Sequence, residues 1–209
     1  CVWANELLDA WPVHRVKRFP TGLNEIGVTW DAQEGAFREV YLPPDEKVLQ
    51  YLERHHIGLQ EGQIAELNLD AERWLRNIGQ QIATGCLTII DYGDTAEELY
   101  APHRMAGTLM CYRRHTASDQ PYMYVGEQDI TAHVDFTACE RTAREVGFHE
   151  VRVETQQSYL LRGGILNLLQ EHHDPDPFSP VARRNRAIRQ LLLSDQMSEL
   201  FKVMTAVKR

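Results

Sequence analysis

The chain is short of several things, and each shortage removes a class of function. No apolar run approaches the roughly 18 residues that a membrane-spanning helix requires, so no membrane partner is expected. Its four cysteines, Cys1, Cys86, Cys111 and Cys139, show no C-x-x-C spacing. That argues against a thiolate zinc site and a thioredoxin-like motif, and reads as reduced core thiols in a cytosolic-type compartment. Lys and Arg number 22 against 30 Asp and Glu, a net charge of −8. The basic surplus of a nucleic-acid binder is missing. One dense basic stretch, Arg183, Arg184 and Arg186 with Arg189, reads as a solvated helix face. His55-His56 and His172-His173 have no carboxylate or cysteine partners at ligand spacing, so no metal site is expected. There is no internal repeat and no low-complexity tract.

What is present is an apolar run that empties into an acidic tip, twice. CVWA at 1–4 runs into Asn5, Glu6, Leu7, Leu8 and Asp9, and CLTIIDYG at 86–93 stops at Asp91, Tyr92 and Gly93. Unbroken apolar runs of this length suit parallel strands covered on both faces. In open α/β sheets ligands bind beyond the carboxyl ends of such strands. Two polar tips on neighbouring strands therefore imply a ligand crevice. The first strand is already under way at Cys1, so the chain is expected to begin inside a fold, and any targeting segment would lie outside it. At 209 residues and 43% hydrophobic it can build one substantial core.

Between the tips, VHRVKRF (13–19), IGVTW (26–30) and AFREVYL (36–42) are strand-like pieces divided by turn signals, an antiparallel meander over 13–42. Val48, Leu49 and Leu52 mark a helix over 45–55; Trp74, Leu75, Ile78 and Ile82 mark another over 70–84, closed by Gly85. The stretch 95–129 has no period and reads as a long loop. Asp135 caps a helix over 136–146 that Gly147 stops. Val151, Val153 and Thr155 alternate in a strand carried on toward 159–161, 172–180 is a loop, a helix covers 181–193, and FKVMTAV (201–207) closes the chain. The order is α/β with antiparallel and helical insertions.

Six blocks occur in one order: ANELLDAWPVHR, EGQIAELNLDAERWL, IIDYG, GTLMCYRRH, GEQDITAHVDF and MSELFKVM. Together they resemble the MidA family of S-adenosylmethionine-dependent methyltransferases, whose mitochondrial members assist assembly of respiratory complex I. The resemblance spans nearly the whole chain. It implies a class I methyltransferase (Rossmann-like) sheet with its last strand antiparallel, of which residues 1–209 would be the C-terminal part. Strands four to seven would be CVWANE, CLTIID, HEVRVET and FKVMTAV, with a helical insertion over 162–196. The family's glycine-rich loop after strand one and the acidic residue after strand two have no counterpart here, since Gly58, Gly62, Gly163 and Gly164 lack the strand context. The fragment alone is expected to be inactive and to bind the donor poorly.

The implied acceptor is a protein side chain, arginine in the mitochondrial relatives, and a guanidinium is best held by carboxylates. Glu6 is the principal candidate, with Asp9, Glu66 and His133 as further catalytic residues. Asn5, Asp91, Tyr92 and Gly93 are the candidate donor-binding residues. Each has a plainer reading: Glu6 and Asp9 as turn caps, Asp91 as a strand-ending turn residue, His133 as a structural hydrogen-bonding partner, Asp129 and Asp135 as caps. Trp3, Trp30 and Trp74 read as core; Trp11, beside Pro12, is the better candidate for a partner surface.

Two functions compete: an enzyme, or a non-catalytic assembly factor gripping a respiratory-complex subunit through the meander and long loop. A small-molecule methyltransferase is a weaker third. The expected location is the cytoplasm of a bacterium, or the mitochondrial matrix if the source is eukaryotic. The edge of the first strand, apolar on both faces, is expected to be covered by a displaced segment or by another copy of the chain.

Overall fold

The computed structural model describes residues 1–171, 176–193 and 200–209. In chain order, β1 (Val2–Asn5) leads to a hairpin series β2 (His14–Phe19), β3 (Gly22–Asp31) and β4 (Ala36–Leu42), then α1 (Glu46–Arg54). Next come β5 (Ile64–Leu67), α2 (Leu69–Gln81), β6 (Gly85–Asp94) and the single turn α3 (Ala96–Leu99). Short strands β7 (Met110–Arg113), β8 (Thr116–Ser118), β9 (Asp129–Thr131) and β10 (Val134–Asp135) precede α4 (Phe136–Glu145). The last elements are β11 (Glu150–Thr155), α5 (Gln156–Arg162), α6 (Pro180–Leu193) and β12 (Phe201–Lys208).

The central sheet has the order β1-β6-β12-β11, with β10 added at the end of β6. β1 runs parallel to β6 from Val2↔Leu87 to Asn5↔Ile90. β12 is antiparallel to both β6 and β11. The parallel β1–β6 pair and the antiparallel last strand β12 are consistent with the expected methyltransferase sheet.

Why β6 reads as continuously apolar is now plain. Leu87 and Ile89 face α2 and α4, packing with Leu75, Phe136, Ala143 and Phe148. Ile90 points the other way, against Phe201, Val203, Tyr92 and Tyr159. Full burial of each such side chain contributes about 2 kcal/mol, so both faces anchor the strand. Each covering helix starts at a polar cap: Asn68 Oδ1 accepts from the Ala71 amide at 3.0 Å, and Asp135 Oδ1 from the Ala138 amide at 3.0 Å.

The meander forms a second sheet, β4-β3-β2-β5. Its fourth strand, β5, is not foreseen by the sequence reading; IAEL is too short to show a period. The stretch 95–129, read as a loop, instead holds α3 and, with β9, a three-stranded sheet of order β8-β7-β9. The strand expected to run on toward 159–161 stops at Thr155, whose hydroxyl accepts from the Ser158 amide at 3.2 Å and starts α5. The His172-His173 pair and part of the MSELFKVM block lie outside the described residues.

Two further expectations are corrected. Trp3 and Trp30 are more than half exposed rather than core. Of the cysteines, Cys111 and Cys139 are buried, whereas Cys1 is exposed and Cys86 half-buried. Among the described residues β1 pairs with β6 alone.

Candidate active site

β1 ends at Asn5, and Glu6 turns the chain with φ of +47°. That left-handed conformation costs a non-glycine residue roughly 1–3 kcal/mol and is found where the surroundings enforce it. Here the enforcement is hydrogen bonding. The Glu6 amide donates to Ile90 O at 2.9 Å. The amides of Leu7 and Leu8 both donate to Asp91 Oδ2, at 3.1 and 2.8 Å, and the Tyr92 amide donates to Asp91 Oδ1 at 2.9 Å. Leu8 then drops into the core, fully buried.

The two acids beneath this turn share a dry environment: Asp91 is 1% exposed and Asp9 is 4%. Burial, reinforced by the neighbouring Asp9 carboxyl, pushes the pKa of Asp91 up to about 7. Burial likewise raises Asp9, with the Glu6 charge adding to it and the Ala10 amide partly offsetting it. Two carboxyls so placed hold a proton between them near neutrality. Neither Asp91, the expected donor-binding residue, nor Asp9, the expected catalytic acid, reaches the surface of the chain. They organise the loop that presents Asn5 and Glu6.

Asn5 and Glu6 are exposed, the Asn5 amide donating to Glu6 Oε1 at 3.3 Å. Tyr92 is half-buried, its ring tilted against Phe201 at 4.0 Å between centroids. Burial and then the Glu6 charge raise its hydroxyl pKa, which places it in the field of that carboxylate. Gly93 has a packing reason: a Cβ there would collide with Val134 O of the neighbouring β10, and approach Phe136.

Glu66 does not join the tip as a free catalytic acid. Its side chain is 1% exposed. Oε2 accepts from the Thr108 amide at 2.7 Å and Oε1 from Arg15 Nε at 3.4 Å. It fixes the 107–108 turn, where Gly107 at φ +75° leaves the space its carboxylate fills. Thr108 Oγ1 in turn accepts from the His133 amide at 3.1 Å. His133 is therefore tied to the Glu66 turn. Burial and then Arg104 lower its pKa, with Asp94 opposing. Among the described residues no three potential metal ligands cluster, and no helix is long and apolar enough to cross a membrane.

A feature that sequence reading missed begins one residue past Asp9. A cleft of about 390 Å³ runs between the second sheet and the β7–β9 region, lined by Trp11, Val28, Leu109, Ile130 and Tyr122 among others. At its floor Arg15 bonds Glu39 at 2.7 Å and Tyr122 at 3.3 Å. Trp11 packs edge-on against Trp74 at 5.9 Å and so serves core and cleft together. The Ala132 amide donates to Asp9 O at 3.0 Å, joining the cleft wall to the acidic loop. The Trp11-Pro12 pair, and the reading of the meander and the 95–129 stretch as a partner grip, carried the sequence signal for this surface.

Residues 1–153 match the family model described as "Putative S-adenosyl-L-methionine-dependent methyltransferase". No curated protein matches. A native crystal structure of an uncharacterized protein from Burkholderia thailandensis superposes with a TM-score of 0.89 at 34% identity, over 99% of this chain and 55% of that one. A second crystal structure from the same organism, bound to S-adenosyl-homocysteine, superposes with a TM-score of 0.88 at 35% identity, over 99% of this chain and 53% of that one. The chain thus spans about half the length of the solved structures it matches. Its sheet order, its matched residues and these relatives agree, and the chain belongs to this family of S-adenosyl-L-methionine-dependent methyltransferases.

Proposed function

We propose that this chain supplies the acceptor side of a MidA-like enzyme that transfers a methyl group from S-adenosylmethionine to an arginine side chain of a protein. One observation carries the reading. Of the acids singled out at and near the strand tips, Asp9, Asp91 and Glu66 are buried, while Glu6 stands exposed on a constrained turn at the carboxyl end of β1. An exposed carboxylate held in place by buried ones is what a cationic acceptor needs.

The residues present suit the methyl end of the donor: a carboxylate, an amide and an aromatic face at Glu6, Asn5 and Tyr92 complement a cationic sulfonium. The 209 residues hold no glycine-rich strand-to-helix turn, so the adenosine is proposed to be held by residues other than these. When bound, the donor supplies an electrophilic methyl on a positively charged sulfur. Glu6 accepts the acceptor's N–H groups and aligns one nitrogen for in-line attack, in which the N–C bond forms as the C–S bond breaks, S-adenosylhomocysteine leaves and the nitrogen's proton passes to water. Its negative charge offsets the cations brought together there. The Tyr92 ring, fixed against Phe201, offers its π face to the same charge.

A polypeptide acceptor is supported by the apolar cleft that opens from Ala10 and Trp11, with Val28 and Ile130 exposed along it. It suits side chains flanking the methylated residue. The test uses the full-length enzyme, labelled donor and arginine-containing peptides, with mass spectrometry locating the product. Glu6→Gln is expected to lower kcat at least about 100-fold, as loss of an oriented charge does, while peptide binding persists. Wild-type turnover in that variant, or methyl groups found only on small molecules, would remove the proposal.

A further inference from the structure

Cys1 and Cys86 are neighbours across the β1–β6 ladder, one step before the Val2↔Leu87 pair. Their sulfurs lie 2.7 Å apart. Adjacent strands sit about 4.8 Å apart, inside the Cα separation that a disulfide accepts. The bond itself requires about 2.05 Å between sulfurs, so closure asks for a side-chain adjustment and no backbone rearrangement. Cys1 is exposed and Cys86 half-buried, on the face that also leaves Trp3 exposed. Cys111 and Cys139 are buried, and burial raises the pKa of both thiols, which keeps them out of exchange.

We propose that Cys1 and Cys86 form an oxidisable pair, a modification site that clamps β1 to β6. A low-molecular-weight disulfide such as oxidised glutathione is the oxidant. One cysteine thiolate attacks it, forming a mixed disulfide and releasing one reduced thiol. The second cysteine then displaces the other thiol, so two electrons and two protons pass from the pair to the oxidant.

The clamp matters because the far end of β1 carries the loop that Asp91 holds, so a covalent tie between β1 and β6 bears on the strand that presents Asn5 and Glu6.

The experiment incubates the full-length enzyme with oxidised glutathione, removes the reagent, and counts thiols after unfolding. A loss of two free thiols is expected, with peptide mapping joining Cys1 to Cys86, slower amide exchange over residues 2–8 and a raised Tm. Cys86→Ser, which keeps the fold's small half-buried side chain, is expected to form no Cys1 crosslink. Reduced Cys1 and Cys86 in the peptide map, glutathione left on Cys1, or a bond joining two copies would each overturn the proposal.

Discussion

The backbone amide of Leu8 donates to Asp91 Oδ2 at 2.8 Å, so a buried acid on β6 holds the loop at the end of β1. That acid has a folded pKa of about 7, above the roughly 3.9 of an unfolded chain. A carboxyl raised on folding binds more protons in the native state. Its effect on stability is most favourable below about pH 4, is lost as pH rises to about 7, and is level beyond. The loss is on the order of 2–4 kcal/mol, since each unit is worth about 1.4 kcal/mol and the proton is shared with Asp9. Asp91→Asn is expected to flatten this pH 4–7 slope in denaturant titrations, while lowering stability at pH 5 because its amide nitrogen faces the Tyr92 N–H. Equal slopes in the two proteins would count against the buried pair.

Glu66→Ala is expected to cost about 2–4 kcal/mol, because it leaves the half-buried Thr108 amide without its acceptor and Arg15 without one carboxylate. Glu66→Gln retains an acceptor and is expected to cost less than half as much. Hydrogen exchange at residues 107–110 provides the local readout. No acceleration there in the alanine variant would contradict the assignment.

Gly93→Ala places a methyl group against Val134 O and Phe136. Separation of β10 from β6 is expected, at about 1–3 kcal/mol or roughly 3–10 °C in Tm. Calorimetry decides it; an unchanged Tm would show that β10 gives way freely.

In the full-length enzyme, Val28→Asp or Ile130→Asp introduces a charge into the apolar cleft. KM for a peptide acceptor is expected to rise about tenfold, as when about 1.4 kcal/mol of binding is lost, with kcat and donor binding near wild type. A change confined to kcat would place the cleft in the chemistry rather than in acceptor binding.

How much of this was legible in the sequence depended on the length of each signal. The β1 and β6 tips were readable because both faces of β6 are covered and every position from Leu87 to Ile90 is buried. That Asp91 lies under the turn rather than on it was not readable, since nothing local distinguishes an acid facing solvent from one accepting three amides. β5 was missed because four residues pairing with β2 show no alternation. Alternation in VRVET carried the expected strand past Thr155, where a hydroxyl cap decides the matter. The Glu66–Thr108 contact joins residues 42 apart, beyond the reach of any period.

Asn68 caps α2 and also donates to Leu8 O at 2.8 Å, immediately after β5 leaves the outer sheet. One amide side chain is thereby a mechanical joint between three bodies: the outer sheet, a core helix and the acidic turn. Under the proposed function, a polypeptide acceptor that tugged on the outer sheet would also pull on the carboxylate-bearing turn, setting grip and alignment by the same load path rather than by separate parts.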